Sequence, residues 1–294
     1  MIGLKSIFNN HAMKKDQIVM NYAGRPPFIR YLKFPVMPEN ELDEAVRWEA
    51  KKLITEPMET RVMDYAVLQK KVEGNQNILE IILVAVDKSD LSEGLGVLWK
   101  AGIYPRLMDV NPLALLKVVE LNHPGEMNQE IVFIDIGSTK MEVNISREMV
   151  LRFTRQIYLG GNGLTRAIME KKSVSFEEAE ILKKEGGFAD PETEGAIKGE
   201  IDRMVLEIQR SIDYYRTQFR EGLINKMILM GGTPLMPGFR DYFETQFDFP
   251  VVLENPFSSM TGPAGLLKEL NPVSSLWASS VGLALRGKIP EQPA

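Results

Sequence analysis

Four short glycine- or charge-bearing stretches carry the residue types that hold a phosphorylated ligand. Asp135-Ile-Gly137-Ser138-Thr139-Lys140 sits between two strand-like runs. Glycine lets backbone amides approach phosphate, serine and threonine hydroxyls donate to it, and Asp135 would hold a magnesium ion through water. The same residues also make an ordinary Asp-x-Gly hairpin turn. Gly160-Gly161-Asn162-Gly163 precedes a helix, where amides of the first turn can hold an anion or the glycines can simply link strand to helix. Glu180 and Lys183 stand three apart on one helix face, either as a clamp for a sugar and a base or as a solvated ion pair. Met230-Gly231-Gly232-Thr233 ends a strand, where glycine lets backbone lie flat on a planar ring or merely turns the chain.

Composition removes many other chemistries. The 294 residues contain no cysteine, which excludes disulfides, zinc–thiolate sites, iron–sulfur clusters and thiol nucleophiles. The two histidines, His11 and His123, are far apart, against a histidine triad or a histidine-rich metal site. A net charge of −5 without a basic run argues against nucleic acid as a partner. The most apolar run, Ile81–Val86, falls far short of the ~20 residues a spanning helix needs. A soluble, cytoplasmic protein that meets the membrane only through a partner is expected.

Periodicity supplies the elements that must position those residues. A helix end is expected over Lys5–Met13, a strand over Gln17–Tyr22, and a chain break at Gly24-Arg25-Pro26-Pro27. Strand Phe28–Phe34, helix Glu39–Leu53, a hairpin of Arg61–Gln69 and Ile78–Val86, helix Leu91–Ala101 and strand Tyr104–Val110 follow in the order β-α-β-β-α-β, a small split unit. Helix Glu39–Leu53 carries Leu42, Ala45, Val46, Glu49 and Leu53 on one side. After helix Asn111–Leu121 come three strands joined tightly, Ile131–Asp135, Lys140–Ile145 and Met149–Ile157. Helices Leu164–Lys172, Ser175–Lys184 and Glu194–Arg220 follow. The last carries Ile197, Ile201, Val205, Ile208, Ile212, Tyr215 and Phe219 at helical steps. Ser175-Phe-Glu-Glu178 is a capping box. Strand Lys226–Met230, helix Pro237–Phe247 and strand Val251–Leu253 come next. Gly262–Leu270 is a loop or a helical turn, and helix Ser274–Arg286 aligns Trp277, Val281 and Ala284.

Taken in order, these signals resemble the second half of the actin-like (ribonuclease H-like) α/β ATPase fold. More narrowly the chain is similar to the PilM family of type IV pilus assembly proteins. The matching residues are Phe133–Gly137, Phe153-Thr-Arg155 with Leu159–Gly161, Leu164–Ile168, Phe176–Lys183, Met230–Gly232 with Pro237-Gly238, and Asn255-Pro-Phe257. Upstream, Pro35-Val-Met-Pro38, Glu41-Leu42 and Trp48-Glu49-Ala50 resemble the start of the family's inserted subdomain, and Gly282–Arg286 its closing helix.

The resemblance implies an inserted βαββαβ subdomain over 28–101. Residues 1–27 and 102–130 would be a remnant of the first actin-like subdomain, 131–270 the second, and 271–294 the closing helix and tail. It implies ATP with magnesium as ligands. Asp135 would meet the magnesium-phosphate, Gly137 and Ser138 the phosphates, with Thr139, Lys140, Gly160 and Gly161 around them. Glu180 would meet the ribose, Lys183 the base, and Gly231-Gly232 the adenosine. It implies a PilN-like cytoplasmic tail peptide as partner, bound in a groove beside the inserted subdomain, with pilus motor ATPases linked indirectly.

Two departures from the family pattern weaken nucleotide binding. The family's opening strand–turn–strand with a first Asp-x-Gly loop is expected to be absent, since the chain starts at what resembles the helix after it. That would leave strand Gln17–Tyr22 with an uncovered edge prone to self-association. The threonine often found five or six positions after the loop's aspartate is replaced by Lys140 and Met141. An adaptor, at most a weak ATPase, is the expected function. An FtsA-type ATPase and a GspL-like type II secretion component are the alternatives.

Overall fold

The computed structural model describes residues 18–126, 128–219 and 223–286; the helix end expected over Lys5–Met13 lies outside them. The chain divides into two compact units, Met1–Ala114 with Leu283–Ala294, and Leu115–Gly282. Among the described residues no helix is long and apolar enough to cross a membrane.

In the first unit β1 (Val19–Asn21) leads to β2 (Phe28–Pro35), α1 (Glu39–Leu53), the hairpin β3 (Arg61–Glu73) and β4 (Gln76–Asp87), α2 (Lys88–Lys100) and β5 (Leu107–Asp109). The hairpin turns at Gly74-Asn75, where Gly74 has φ +60° and so takes the left-handed backbone without a side-chain clash. The sheet has the order β2-β4-β3, antiparallel throughout. On one face Leu79, Ile81, Leu83 and Ala85 of β4 pack with Leu42, Val46, Ala50 and Ile54. The buried stripe of α1 is therefore Leu42, Val46 and Ala50, and Leu53 at the helix end is exposed. Ile82, Val84 and Val86 of β4 face the other way and line a groove. Apolar residues on both faces explain why Ile81–Val86 is a continuous run and not an alternating one.

The β-α-β-β-α-β reading needs one correction. The last strand does not join that sheet: β5 pairs in parallel with β1, Met20 opposite Met108, in a separate two-stranded sheet. The ladder with β5 satisfies backbone groups of β1 outside the three-stranded sheet. Asp87 caps α2 by accepting from the amides of Ser89 and Asp90. Arg25, after the Gly24 break, reaches Asp87 and Asp90 and ties the loop to that helix start. That guanidinium holds the Asp90 carboxyl well below the usual carboxylate range.

From α3 (Asn111–Asn122) the chain enters the second unit. Its meander β6 (Glu130–Ile136), β7 (Met141–Arg147) and β8 (Val150–Ile157) is antiparallel, as expected. Then come α4 (Gly161–Lys172), α5 (Phe176–Glu185), α6 (Pro191–Phe219), β9 (Ile224–Met230), α7 (Phe239–Glu244), β10 (Val251–Leu253), α8 (Ala264–Leu270), a 3₁₀ stretch Asn271–Trp277 and α9 (Ala278–Arg286). The five-stranded sheet has the order β10-β9-β6-β7-β8, with β9 and β10 parallel to β6. One face buries Val132, Ile134, Ile136, Met141, Val143 and Ile145 against Leu164, Ile168 and the long stripe of α6, Ile197 through Tyr215. Gly262–Leu270 resolves as the short helix α8. Trp277 is half-exposed and stands off the core that Val281 joins.

Ser175 caps α5 with both halves of the expected capping box in place. Ser175→Ala should cost about 1 kcal/mol, read as a lower midpoint in chemical denaturation with an unchanged slope.

Candidate functional site

The loops at the ends of β6, β8 and β9, the start of α4 and the second half of α5 converge on a cleft of about 680 Å³ in the second unit. Its walls include Gly137, Ser138, Gly161, Asn162, Glu180, Lys183, Lys184, Gly232, Thr233 and Leu276. Six of the eleven expected residues line it: Gly137, Ser138, Gly161, Glu180, Lys183 and Gly232. The size is that of a small-molecule site.

The other five lie behind or beside it. Gly160 packs on the first loop so closely that an added Cβ would stand 2.7 Å from the Gly137 carbonyl oxygen. Gly231, at φ +89°, lies against Asp135: its Cβ would stand 2.5 Å from Oδ1 and 2.6 Å from the Ile136 carbonyl. Asp135 is half-buried at the end of β6, in register with Glu142 of β7. Lys140 turns away from the cleft, donating to Gln156 at 2.8 Å and pairing with Glu142 at 3.5 Å. Thr139 is exposed at the loop tip. Among the described residues no three acidic or histidine side chains gather as a metal site. A magnesium ion at Asp135 would therefore take most of its ligands from water and phosphate.

The geometry adds partners to two of the residue groups read from the sequence. The amides of Gly161 and Asn162, read as an anion cradle, donate to the Gly137 and Ser138 carbonyls at 2.9 and 2.7 Å. The start of α4 thus secures the phosphate-like loop and offers fewer donors to a ligand. Lys183, read as a group that reaches a base, is buried. Its ammonium donates to Thr165 Oγ1 at 2.7 Å and to the Gly161 carbonyl at 3.2 Å, and pairs with Glu180 Oε1. Burial pushes the Glu180 carboxyl up, but hydrogen bonds from Lys183 and Thr165 outweigh it and leave it below the usual range. Sequence reasoning missed Thr165, four residues after Gly161 on α4, and Thr233, whose hydroxyl donates to the Gly137 carbonyl at 2.9 Å. It also missed Lys184, whose exposed ammonium lines the cleft. The i+3 spacing of Glu180 and Lys183 gave the pair; only the fold shows that Lys184 lines the cleft beside them.

A second concavity lies wholly within the first unit. It is about 250 Å³ and runs between the β3–β4 face and β5, lined by Val62, Ala66, Ile82, Val84, Val86, Leu107 and Val110. Its polar groups are Tyr22, Asp64, Tyr65, Asp109 and Arg286. Asp109 is buried, accepts from the Val110 amide at 2.8 Å and pairs with Arg286 of α9. The Tyr65 hydroxyl donates to Asp43 at 2.5 Å, and that bond pushes its pKa up to about 12. The phenol therefore stays neutral and engaged with Asp43.

The family model described as type IV pilus assembly protein PilM matches residues 4–288. The chain belongs to the PilM family. Its fold matches a solved PilM-PilN type IV pilus biogenesis complex at a TM-score of 0.83 and 26% identity, covering 98% of this chain and 84% of that one. The ethanolamine utilization protein EutJ from Carboxydothermus hydrogenoformans is 19% identical with a TM-score of 0.52, over 68% of this chain and 62% of that one. MreB 5 of Spiroplasma citri bound to AMPPNP is 14% identical with a TM-score of 0.49, over 67% and 63%. The architecture of this PilM-family chain is the actin-like α/β fold.

Proposed function

We propose that the chain is an adaptor of type IV pilus assembly that holds a PilN-like cytoplasmic tail peptide in the groove of its first unit. The likeness to the PilM-PilN complex over almost the whole chain carries this reading. The groove's chemistry supports it. Apolar side chains of β3, β4 and β5 suit alternate side chains of an extended segment, and the Asp109–Arg286 pair offers polar groups for its ends. Through that peptide the protein would be cytoplasmic and peripheral to the inner membrane, and linked indirectly to the pilus motor ATPases.

The cleft of the second unit would take ATP with magnesium, weakly. Ser138 and the loop backbone would meet phosphate, Asp135 would hold the hydrated ion, Glu180 and Lys184 would edge the sugar and base, and Gly232 with Leu276 would flank the ring. When bound, magnesium would neutralise phosphate charge there. Two observations favour weak binding over turnover. The α4 amides are already bonded to loop carbonyls, and Lys140 is drawn toward Gln156 and Glu142.

A synthetic PilN tail peptide titrated into the full chain by calorimetry tests the adaptor role. Saturable binding is expected, and Ala66→Arg, which fills the exposed rim of the groove, should weaken it at least tenfold. Absence of binding by a folded sample would overturn the reading.

A further inference from the structure

The polar side chains that line the groove of the first unit are engaged within the chain, with one exception. Asp109 accepts from the Val110 amide at 2.8 Å through one oxygen and pairs with Arg286 through the other. The Tyr22 hydroxyl donates to Asp90 at 3.2 Å, and the Tyr65 hydroxyl donates to Asp43. Asp64 is exposed, and its carboxylate accepts the neighbouring Tyr65 amide at 2.8 Å. Among the described residues no lysine or arginine pairs with it; Arg61, on the same strand, is held by Glu56 at 2.6 Å. Its surroundings are apolar. On the same face of β3 the residues two before and two after it are Val62 and Ala66. Across the ladder Val84 lies opposite, between Val86 and Ile82. All six side chains line the groove.

We infer that Asp64 selects what the groove binds: the bound segment carries a lysine or arginine that meets this carboxylate, with an apolar residue two positions to either side. This demand on the peptide rests on the adaptor reading above and adds the chemistry by which the groove tells one segment from another. An apolar segment laid over the strip would take the carboxylate out of water without a partner, which is unfavourable. A cation at that point turns the same burial into a charge-assisted hydrogen bond in surroundings that strengthen it. The spacing follows from the strand. In an extended segment lying along β3, side chains return to one face every second residue. A cation opposite Asp64 therefore sends its neighbours two away toward Val62 with Val86 and toward Ala66 with Ile82, whichever way the segment runs. Arg286 is the one cation among the groove-lining residues and is paired with Asp109. The unpaired charge of the groove is thus negative, which draws a basic segment and disfavours an acidic one.

Calorimetry of the full chain with PilN tail peptides, each lysine or arginine replaced in turn by methionine, tests this. Asp64→Asn keeps the side-chain shape and should weaken the parent peptide about fivefold or more. One of the peptide substitutions should cost as much. Against Asp64→Asn that same substitution should cost little further, because the pair is already broken. Raising salt from about 50 to about 500 mM should weaken wild type more than Asp64→Asn. Glu73→Gln, at the far end of β3 where Glu73 pairs with Lys33 at 2.9 Å, should leave affinity unchanged. Asp64→Lys should prefer the peptide with glutamate at the identified position. Circular dichroism checks that each variant folds. A folded Asp64→Asn variant that binds the parent peptide as tightly as wild type would overturn the assignment, and so would losses that multiply at every peptide position. Those results leave peptide binding itself intact. A wild-type chain that binds no peptide removes the adaptor reading and the role of Asp64 together.

Discussion

Lys183→Met should lower the stability of the second unit by about 3 kcal/mol, because it leaves Glu180 half-buried beside an apolar side chain. The Thr165 hydroxyl and the Gly161 carbonyl lose their charged donor in the same step. Replacing the pair together, Lys183→Met with Glu180→Leu, should recover most of the loss, since two apolar groups leave no charge to desolvate. The acid response gives an independent check. In the folded wild type the Glu180 carboxyl titrates below its ordinary value of 4.5. Its contribution is therefore present above that value and is lost as pH falls through the lower folded one. Without Lys183 only the Thr165 hydrogen bond and the Lys184 charge still oppose burial, so the variant should lose less stability than wild type as pH falls through the same range. Urea melts at about pH 7 and pH 4 measure both effects.

Some of this was legible before any coordinates. The six helical steps from Ile197 to Phe219 gave α6, three closely spaced strand-like runs gave the meander, and Ser175-x-x-Glu178 gave a helix start, because each signal is local. The glycines were legible as a group because glycine pairs at strand ends are a local signal. Which of them face the cleft was not, since Gly231 and Gly232 are neighbours with opposite duties. The fate of the α4 amides was hidden for a different reason: their acceptors, Gly137 and Ser138, lie more than twenty residues upstream. The groove of the first unit was invisible as a pattern. Val62, Ile82, Leu107 and Arg286 come from four distant segments, and its one trace was an apolar run on β4 too continuous for a strand covered on one face. The pairing of β5 with β1 was missed because a three-residue parallel ladder leaves no periodicity to read.

The contrast between those two adjacent glycines gives the second large effect. Gly231→Ala must hold an L residue at φ +89° and drive its methyl into the Asp135 carboxylate and the Ile136 carbonyl. Backbone strain of about 1–2 kcal/mol adds to overpacking of about 1–3 kcal/mol, so a loss near 4 kcal/mol is expected. Ser275 cannot relieve it, because its hydroxyl donates to the Gly231 carbonyl at 2.7 Å and its carbonyl accepts the Gly231 amide at 3.1 Å. Gly232→Ala should behave otherwise. Its backbone is ordinary, and the new methyl meets the Leu276 Cδ2 atom, the far end of a flexible side chain. Stability should stay within about 1 kcal/mol of wild type, while the displaced Leu276 narrows the cleft and lowers any affinity for ATP. Thermal melts with and without ATP and magnesium separate the two cases.

Hydrogen exchange on the full chain, with and without a saturating PilN tail peptide, is the most direct test of the adaptor reading. Slowed exchange should be concentrated in Val62–Ala66 and Leu107–Val110, where the groove is built. Protection confined to Gly137–Ser138 and Gly161–Asn162 in the other unit, or none anywhere, would contradict it.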